Sequence, residues 1–257
     1  MTVPDHAGAA VLAVDDVHLT IGGAKIIDGV TLAVAPGEML AVIGPNGAGK
    51  KTLFNLLSGV ARPTAGRVLL GGDDVTGRSV DSRARAGLGR TFQTSSLFDG
   101  LSALENVRLA AQSMLGGALS VLRFPCRSDA ATRRALDRLG EVGLAHHAHT
   151  RAGGRAHGDK RKLEIAMLLA SDPQVILLDE PMAGVGSADV EGLVDLIRQV
   201  HRDQGTTVLM VEHHMDVVLD LADRVAVVHH GQLLACDTPD VVMADATVQS
   251  AYLGSTR

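Results

Sequence analysis

Aromatic residues are scarce in this sequence. Its 257 residues include four Phe, one Tyr and no Trp, so it has few of the rings on which single-stranded nucleic acids stack. Lys and Arg together number 24 against 29 Asp and Glu, which gives a net charge of −5. A nucleic-acid-binding protein would instead present a basic surface. Both features lead us to expect no nucleic acid among the partners of this chain.

Cysteines and long apolar runs are also rare. Cys126 and Cys236 are too few and too far apart to form a disulfide framework, which is typical of a reducing compartment. No apolar run approaches the roughly 18–20 residues of a membrane-spanning helix. No Lys or Arg precedes the short apolar run at 9–14, so this run does not resemble a secretory signal. We therefore expect a cytoplasmic chain that meets a membrane only through partner subunits.

Apolar residues nevertheless make up 46 % of the chain, and their spacing predicts strands and helices in turn. Alternating or short apolar runs predict strands at residues 11–19, 26–34, 39–43, 68–70, 175–178, 207–211 and 225–228. Helical spacing is found at 104–114, 130–139, 190–200 and 215–221. Strands interleaved with helices predict an α/β fold with a mainly parallel sheet, into which residues 103–150 insert a helical subdomain.

A glycine-rich segment follows the predicted strand at 39–43. It matches the pattern GxxxxGK and reads Gly44, Pro45, Asn46, Gly47, Ala48, Gly49 and Lys50. Glycines allow successive backbone N–H groups to converge on phosphate oxygens, and the N-terminus of the following helix adds favourable partial charge. The segment predicts a nucleotide phosphate site in which Lys50 reaches the terminal phosphates. A plain glycine-rich turn is the alternative.

Position 51 departs from this pattern. A Ser or Thr hydroxyl normally follows the lysine and ligates Mg²⁺, but the ammonium of Lys51 has no lone pair and cannot ligate a cation. Thr52 remains a candidate nucleotide contact, yet it lies about 100° further around the helix and would replace that hydroxyl only if the helix locally unwound. We expect nucleotide binding that depends less on Mg²⁺, with poorly organised hydrolysis.

Two carboxylates end the apolar strand at 175–178. Asp179 is placed to hold Mg²⁺ through water, and Glu180 is placed to orient or deprotonate an attacking water. Such a pair is a weak signal by itself. Together with the phosphate loop it predicts a site that binds and hydrolyses a nucleoside triphosphate.

Two further segments carry motifs, since residues 89–93 read GRTFQ and residues 211–213 read VEH. With the phosphate loop and the two carboxylates, they make the chain resemble an ATP-binding subunit of an ABC transporter over nearly its whole length. The resemblance implies a P-loop ABC-type α/β fold with an N-terminal antiparallel β part. It also implies ATP and Mg²⁺ as ligands, Gln93 as a contact to Mg²⁺ and water, and His213 near the γ-phosphate. His214 is interpreted as a bystander.

The resemblance also implies a three-part chain and a set of partners. Residues 1–100 would form the β part and the phosphate-loop half of the core, 101–172 the helical subdomain, and 173–257 the rest of the core. The GRTFQ stretch, residues 104–107 (LENV) and residues 251–254 (AYLG) are most similar to importers of branched-chain amino acids, amides or urea. Expected partners are membrane permease subunits, a second ATP-binding subunit in a homo- or heterodimer and, indirectly, a solute-binding protein.

The segment that matches the family's signature loop departs from its usual pattern. Gly158 is retained, but Ala156 stands where a Ser hydroxyl would contact the γ-phosphate of ATP held by the opposite subunit. Ala is also a poor N-cap and costs roughly 0.5–2 kcal/mol relative to Ser. Arg155 replaces an apolar residue, and we expect its charge to disrupt packing, with a phosphate contact as the alternative.

Two more positions differ from the family. Gly186 lies where a polar side chain usually crosses the dimer, and Ile21 lies where an aromatic ring stacks on adenine. Loss of such a ring is worth roughly 1–3 kcal/mol by analogy with base stacking in nucleic-acid complexes. The resemblance assigns hydrolysis to Glu180 and His213, but these departures predict weak or absent ATPase activity. The alternative is a non-hydrolysing subunit with an assembly or regulatory role.

Overall fold

The computed structural model of the chain describes residues 10–91, 97–114 and 129–253. The strands are β1 (Leu12–Ile21), β2 (Ala24–Val34), β3 (Met39–Ile43), β4 (Ala65–Leu70), β5 (Asp73–Asp74), β6 (Leu88–Arg90), β7 (Val175–Asp179), β8 (Thr207–Val211), β9 (Arg224–His229) and β10 (Gln232–Asp237). The helices are α1 (Lys50–Ser58), α2 (Val80–Arg85), α3 (Ala103–Met114), α4 (Ala130–Glu141), α5 (His157–Leu169), α6 (Ser187–Gln204), α7 (Met215–Leu221), α8 (Pro239–Ala244) and α9 (Ala246–Leu253).

Within these residues, the larger sheet has the strand order β10-β9-β3-β8-β7-β6. All its neighbouring strands are parallel except β9 and β10, which are antiparallel. Strands β3, β7 and β8 are buried at every position, as expected for parallel strands that are covered on both faces. The prediction of a mainly parallel sheet is therefore confirmed.

A second sheet, with the order β2-β1-β4-β5, is antiparallel throughout the described residues. Buried and accessible residues alternate along much of β1 and β2, because one face of this sheet packs inward and the other meets solvent. The N-terminal antiparallel β part implied by the family resemblance is thus confirmed.

Two hydrophobic cores lie on opposite faces of the parallel sheet. The side chains of β3 alternate between them: Leu40 and Val42 join one core, whereas Ala41 and Ile43 join the other. The first core contains α1 and the antiparallel sheet, and the second contains side chains from the remaining long helices. The phosphate-loop helix is therefore clamped between two sheets.

Helices α3, α4 and α5 pack against one another between β6 and β7 in chain order. They agree with the helical spacing at 104–114 and 130–139, and they form the predicted helical insertion. The three-part division with boundaries after residues 100 and 172 remains a prediction. Within the described part of the chain, no helix is long and apolar enough to cross a bilayer.

The antiparallel sheet gives a test of its backbone geometry. Gly66 and Gly71 both have positive φ, of 84° and 59°, but a Cβ on Gly66 would lie 2.2 Å from the Asp16 carbonyl oxygen, whereas one on Gly71 would meet nothing within 4 Å. Gly71→Ala should lower the free energy of unfolding by roughly 1–2 kcal/mol, the penalty of a left-handed non-glycine residue. Gly66→Ala should lower it by clearly more. Urea titration measures both losses, and equal losses would contradict the packing described.

Candidate nucleotide-binding site

The candidate site lies where neighbouring parallel strands end. Strands β3, β7 and β8 run side by side and in the same direction, so the residues that follow them meet at one edge of the sheet. A cavity of about 360 Å³ opens there. Its lining residues are Ile26, Asn46, Gly47, Ala48, Gly49, Lys50, Lys51, Thr52, Glu180, Val211 and His213. The structure thus brings most of the predicted phosphate loop together with Glu180 and His213.

The phosphate loop owes its shape to glycines. Gly44, Gly47 and Gly49 have φ values of 149°, 78° and 106°, which side-chain-bearing residues rarely adopt. A Cβ on Gly44 would lie 2.0 Å from the Val228 carbonyl oxygen, so this residue must also be small. The loop leads directly from β3 into the N-terminus of α1, where backbone N–H groups and the helix dipole favour an anion.

Lys50 is folded back into the loop. Its buried Nζ donates hydrogen bonds to the carbonyl oxygens of Gly44 at 2.6 Å and Pro45 at 2.9 Å. Burial lowers the pKa of Lys50, while the nearby Glu180 carboxylate opposes that shift. A buried ammonium gains more from an anionic partner than a hydrated one does, so Lys50 is suited to bind a phosphate.

Lys51 and Thr52 both line the cavity. Lys51 is exposed at the first turn of α1, and Thr52 is half-buried. Because α1 is regular from Lys50 onward, the structure shows no unwinding that would bring the Thr52 hydroxyl to position 51. Position 51 therefore presents a cation to the cavity where the usual pattern presents a hydroxyl.

Glu180 and His213 form a direct pair across the strand ends. His213 Nε2 lies 3.1 Å from Glu180 Oε1, and a carboxylate accepts a hydrogen bond at this distance when Nε2 carries the proton. Glu180 has a φ of 50°, a conformation that is uncommon for non-glycine residues and often marks a functional position. The backbone N–H of Glu180 donates to the Val211 carbonyl oxygen at 2.9 Å, which fixes the turn after β7 to β8.

Asp179 is already paired. Its Oδ2 accepts a hydrogen bond from Arg90 Nη2 at 2.9 Å, and the side chains of Arg90 and Asp179 are only 6 % and 2 % exposed. Arg90 Nη1 also donates to the Phe54 carbonyl oxygen at 3.0 Å and to Ser58 Oγ at 2.6 Å. Arg90 therefore joins β6, the last turn of α1 and the end of β7. The lone Arg after the apolar Leu88 and Gly89 was the sequence signal for this role, and sequence reasoning missed it.

These residues fit the phosphates of a nucleotide better than they fit Mg²⁺. A magnesium ion prefers several oxygen ligands in octahedral geometry. Here Asp179 lies outside the cavity lining and is neutralised by Arg90, and position 51 offers an ammonium. Gln93, the other predicted Mg²⁺ contact, lies outside the described residues. Lys50 and Lys51 are instead the cations that face the cavity.

Glu212 was also missed by sequence reasoning, although a carboxylate directly after the apolar strand β8 parallels Asp179 after β7. It is 2 % exposed, and its Oε1 accepts the backbone N–H of Met182 at 2.8 Å. Its Oε2 accepts the backbone N–H of His213 at 2.8 Å and lies 3.0 Å from His214 Nδ1. His214, interpreted from the sequence as a bystander, does not line the cavity in the described chain, but its ring is bonded to this buried carboxylate.

The signature segment lies apart from the cavity, since Gly158 is not among the lining residues found in the described chain. A Cβ on Gly158 would lie 3.0 Å from Asp189 Cβ, so this glycine allows α5 to approach α6 closely. Ala156 is the N-cap of α5 and its methyl group cannot accept a hydrogen bond from the first turn. An N-cap without a polar side chain leaves these N–H groups to other partners.

Arg155, which was expected to disrupt packing, has partners for both terminal nitrogens of its guanidinium, whereas its buried Nε has none among the described residues. Its buried side chain pairs with Asp159 at 3.0 Å, donates to the His147 carbonyl oxygen at 3.1 Å and is bonded to the Thr150 hydroxyl. A buried charge is tolerated when it is paired and hydrogen-bonded. Arg155 thus joins the signature segment to the connector that precedes it.

The remaining predicted positions lie outside the cavity lining. Ile21 ends β1 with 60 % of its surface exposed, and Ile26 rather than Ile21 lines the cavity. Gly186 is the N-cap of α6 with extended backbone at φ −65°.

Comparisons with known proteins agree with this geometry. The family model described as ABC transporter matches residues 27–183. The high-affinity branched-chain amino acid transport ATP-binding protein LivG of Escherichia coli K12 is 37 % identical, with 95 % of this chain and 97 % of LivG covered. BraF of Pseudomonas aeruginosa, which carries the same description, is 35 % identical over 95 % of this chain and 98 % of its own. The ADP conformation of MJ1267, an ATP-binding cassette of an ABC transporter, superposes with a TM-score of 0.84 at 28 % identity, covering 95 % of this chain and 99 % of MJ1267.

The Arg90–Asp179 pair should be measurable in stability. Arg90→Met leaves the Asp179 carboxylate buried without its guanidinium, so we expect a loss of about 3–5 kcal/mol in the free energy of unfolding. Adding Asp179→Asn should restore part of that loss, because no uncompensated charge remains. Arg198→Met, which breaks the more exposed pair with Asp220, is the control and should cost less than about 1 kcal/mol. Urea denaturation measures all three, and equal losses at Arg90 and Arg198 would contradict the buried pair.

Proposed function

We propose that this chain, which belongs to the ABC transporter family, is the ATP-binding subunit of an importer for branched-chain amino acids. The relatives that cover nearly the whole chain are described as transport ATP-binding proteins for these solutes. Amides and urea, which the sequence motifs also allow, are less favoured by these relatives. The solute itself is selected by other subunits, so its identity rests on the relatives alone.

The cavity at the strand ends carries the proposal of ATP binding. A glycine-shaped loop, the N-terminus of α1 and the buried Lys50 surround one side, and Glu180 and His213 face them from the ends of β7 and β8. The volume of about 360 Å³ suits a small-molecule ligand. We assign the phosphates to the loop, with Lys50 exchanging its carbonyl partners for phosphate oxygens.

Glu180 and His213 are the groups proposed to act on water. A carboxylate beside the terminal phosphate orients a water molecule or accepts its proton, and an imidazole donor stabilises the developing charge. Their mutual distance of 3.1 Å supports this assignment, because two groups so close together can both contact one reacting centre.

Weak hydrolysis is the second part of the proposal. Lys51 replaces the hydroxyl ligand, and Arg90 holds the Asp179 carboxylate, so positive side chains rather than Mg²⁺ face the phosphates. Side-chain charge can hold a triphosphate without organising its terminal phosphate for attack. These same observations favour the alternative of a non-hydrolysing subunit that keeps the fold for assembly or regulation.

The proposed partners are membrane permease subunits and a second ATP-binding subunit, with the chain on the cytoplasmic face of the membrane. A second cavity, of about 300 Å³, lies between α2, β6 and the helices α3 and α5. It is lined in part by Gly89, Arg90 and Thr91, the last of which lies two residues before Gln93 in the chain. It is also lined by the buried Glu164, whose Oε1 has no hydrogen-bond partner among the described residues. We propose that a permease segment with a donor for Glu164 docks in this cavity.

The activity is tested by replacing position 51. The purified chain should bind ATP with an affinity that changes little when EDTA removes Mg²⁺, and it should release phosphate slowly. Lys51→Thr supplies a hydroxyl ligand, so Mg²⁺ should then strengthen binding by about tenfold or more, equivalent to one good ligand contact, and phosphate release should rise. Calorimetry with and without Mg²⁺ and a phosphate assay measure these changes.

Lys50→Ala is the control and should abolish tight binding in both conditions. Wild-type turnover comparable to that of an active relative would contradict weak hydrolysis. An unchanged Lys51→Thr would show that position 51 is not the cause.

The signature segment gives a separate prediction. Ala156→Ser places a hydroxyl at the N-cap of α5, where it can accept a backbone N–H of the first turn, and should raise the free energy of unfolding by about 0.5–2 kcal/mol. If the segment contacts ATP held by a second subunit, the same change should also raise phosphate release. Ala156→Val, which adds volume without an acceptor, should do neither. Thermal denaturation and the phosphate assay separate the two effects.

A further inference from the structure

The carboxylate of Glu212 fastens two loops at the candidate site. Oε1 accepts the N–H of Met182 at 2.8 Å, and Oε2 accepts the N–H groups of His213 at 2.8 Å and His214 at 3.2 Å. The ring nitrogen Nδ1 of His214 lies 3.0 Å from the same oxygen and donates to it, because a carboxylate can only accept. The Glu212 side chain is 1 % exposed, so these N–H groups take the place of water.

Each of these loops carries one member of the Glu180–His213 pair. Met182 lies two residues after Glu180, and His213 directly follows Glu212. Glu180 has the uncommon φ of 50°, which persists only when surrounding contacts hold it. Glu212 supplies such a contact, because it accepts the backbone N–H of Met182, two residues after Glu180. The same carboxylate also accepts the backbone N–H of His213.

We propose that Glu212 is a positioning residue, which sets the distance between Glu180 and His213 and so governs turnover of the bound nucleotide. This inference rests on the proposed function, because it concerns the pair that acts on water. Among the described residues that line the cavity, Val211 and His213 appear but Glu212 does not. Its carboxylate therefore acts through its neighbours and does not touch the nucleotide.

His214 has a defined part in this arrangement. Its side chain is 59 % exposed, yet its ring caps the outer oxygen of the buried carboxylate. Replacing it with Phe removes one hydrogen bond and leaves the backbone donors of Met182 and His213 in place. A graded response is therefore expected: removal of the carboxylate loosens both loops, and removal of the His214 ring loosens them less.

The test uses Glu212→Gln in the full chain. An amide keeps the size of the side chain, but its NH₂ group cannot accept the N–H groups that now share Oε2. We expect phosphate release to fall by at least about tenfold, the loss that accompanies a charge-assisted hydrogen bond, while the Kd for ATP stays within about twofold. A purely structural role would instead weaken binding and turnover together.

A second readout does not depend on hydrolysis. The ¹H–¹³C resonance of the His213 ring, identified by its loss in His213→Asn, should move when Glu180→Gln removes the neighbouring carboxylate. In the Glu212→Gln background that movement should shrink by at least about twofold, because the two side chains no longer hold their distance. His214→Phe should give smaller changes of the same sign in both readouts.

Glu38→Gln is the matched control. Glu38 is also a buried carboxylate, which accepts the N–H of Ala35 at 2.7 Å and pairs with Arg224 at 2.9 Å, but it lies at the opposite end of β3. It should leave turnover and the His213 resonance unchanged. The inference is overturned if Glu212→Gln folds and matches the control in both readouts.

If Glu212→Gln does not fold, His214→Phe decides, and an unchanged His213 resonance in that variant overturns the inference. Failure of the proposed function is recognised separately, since the wild-type chain would then not bind ATP. The effect of Glu180→Gln on the His213 resonance can still be measured in that case.

Discussion

Buried charge at the carboxyl ends of the parallel strands constrains this structure more than any other feature. A charged group removed from water must find a partner of opposite charge or several hydrogen bonds. Asp179 finds Arg90, Lys50 finds the carbonyl oxygens of its own loop, and Glu212 finds backbone N–H groups. Each solution ties one strand end to another segment, so the arrangement of the cavity follows from the need to satisfy these charges.

A bound ligand would affect these hydrogen bonds and ion pairs differently. The Gly44 and Pro45 carbonyl oxygens that accept hydrogen bonds from Lys50 are neutral. A charged phosphate oxygen would be a stronger acceptor for this ammonium. The Arg90–Asp179 pair is a match between full charges in a dry environment, which a ligand does not easily displace. The site therefore combines one exchangeable contact, Lys50, with a fixed frame made by Arg90 and Glu212.

The fold could be predicted from the sequence wherever burial leaves a simple pattern. The short, largely apolar runs of β3, β7 and β8 are predicted directly, and α3 and α4 follow from helical spacing. The strand β6 has only three residues, including Gly89 and Arg90, and no periodicity reveals a strand that short. Yet β6 is the element that brings Arg90 to Asp179, so the most constrained contact of the site came from the least predictable strand.

At the site, the functional residues could be predicted from the sequence, but the partners that hold them could not. The motifs predicted Lys50 and Glu180 in one nucleotide site, the family resemblance implied His213 beside the γ-phosphate, and the structure brings these three together. The partners that hold them were not predictable, since a hydrogen bond from Met182 to Glu212 spans 30 residues of sequence and depends on neighbouring strands having the right register. Spacing along the chain contains no information about such a contact until the sheet order is known.

The need to satisfy or expose charge also explains how the structure accommodates residues that depart from the family pattern. Arg155 was expected to disrupt its surroundings, but Asp159, His147 and Thr150 supply acceptors for its guanidinium, and the segment folds around it. The charge of Lys51 is not buried, because Lys51 is exposed where it lines the cavity. The described frame of this chain is therefore formed although positions 51 and 155 depart from the family pattern. We therefore expect stability and turnover to be separable, since the charges that hold the frame together are buried whereas Lys51 is exposed at the cavity.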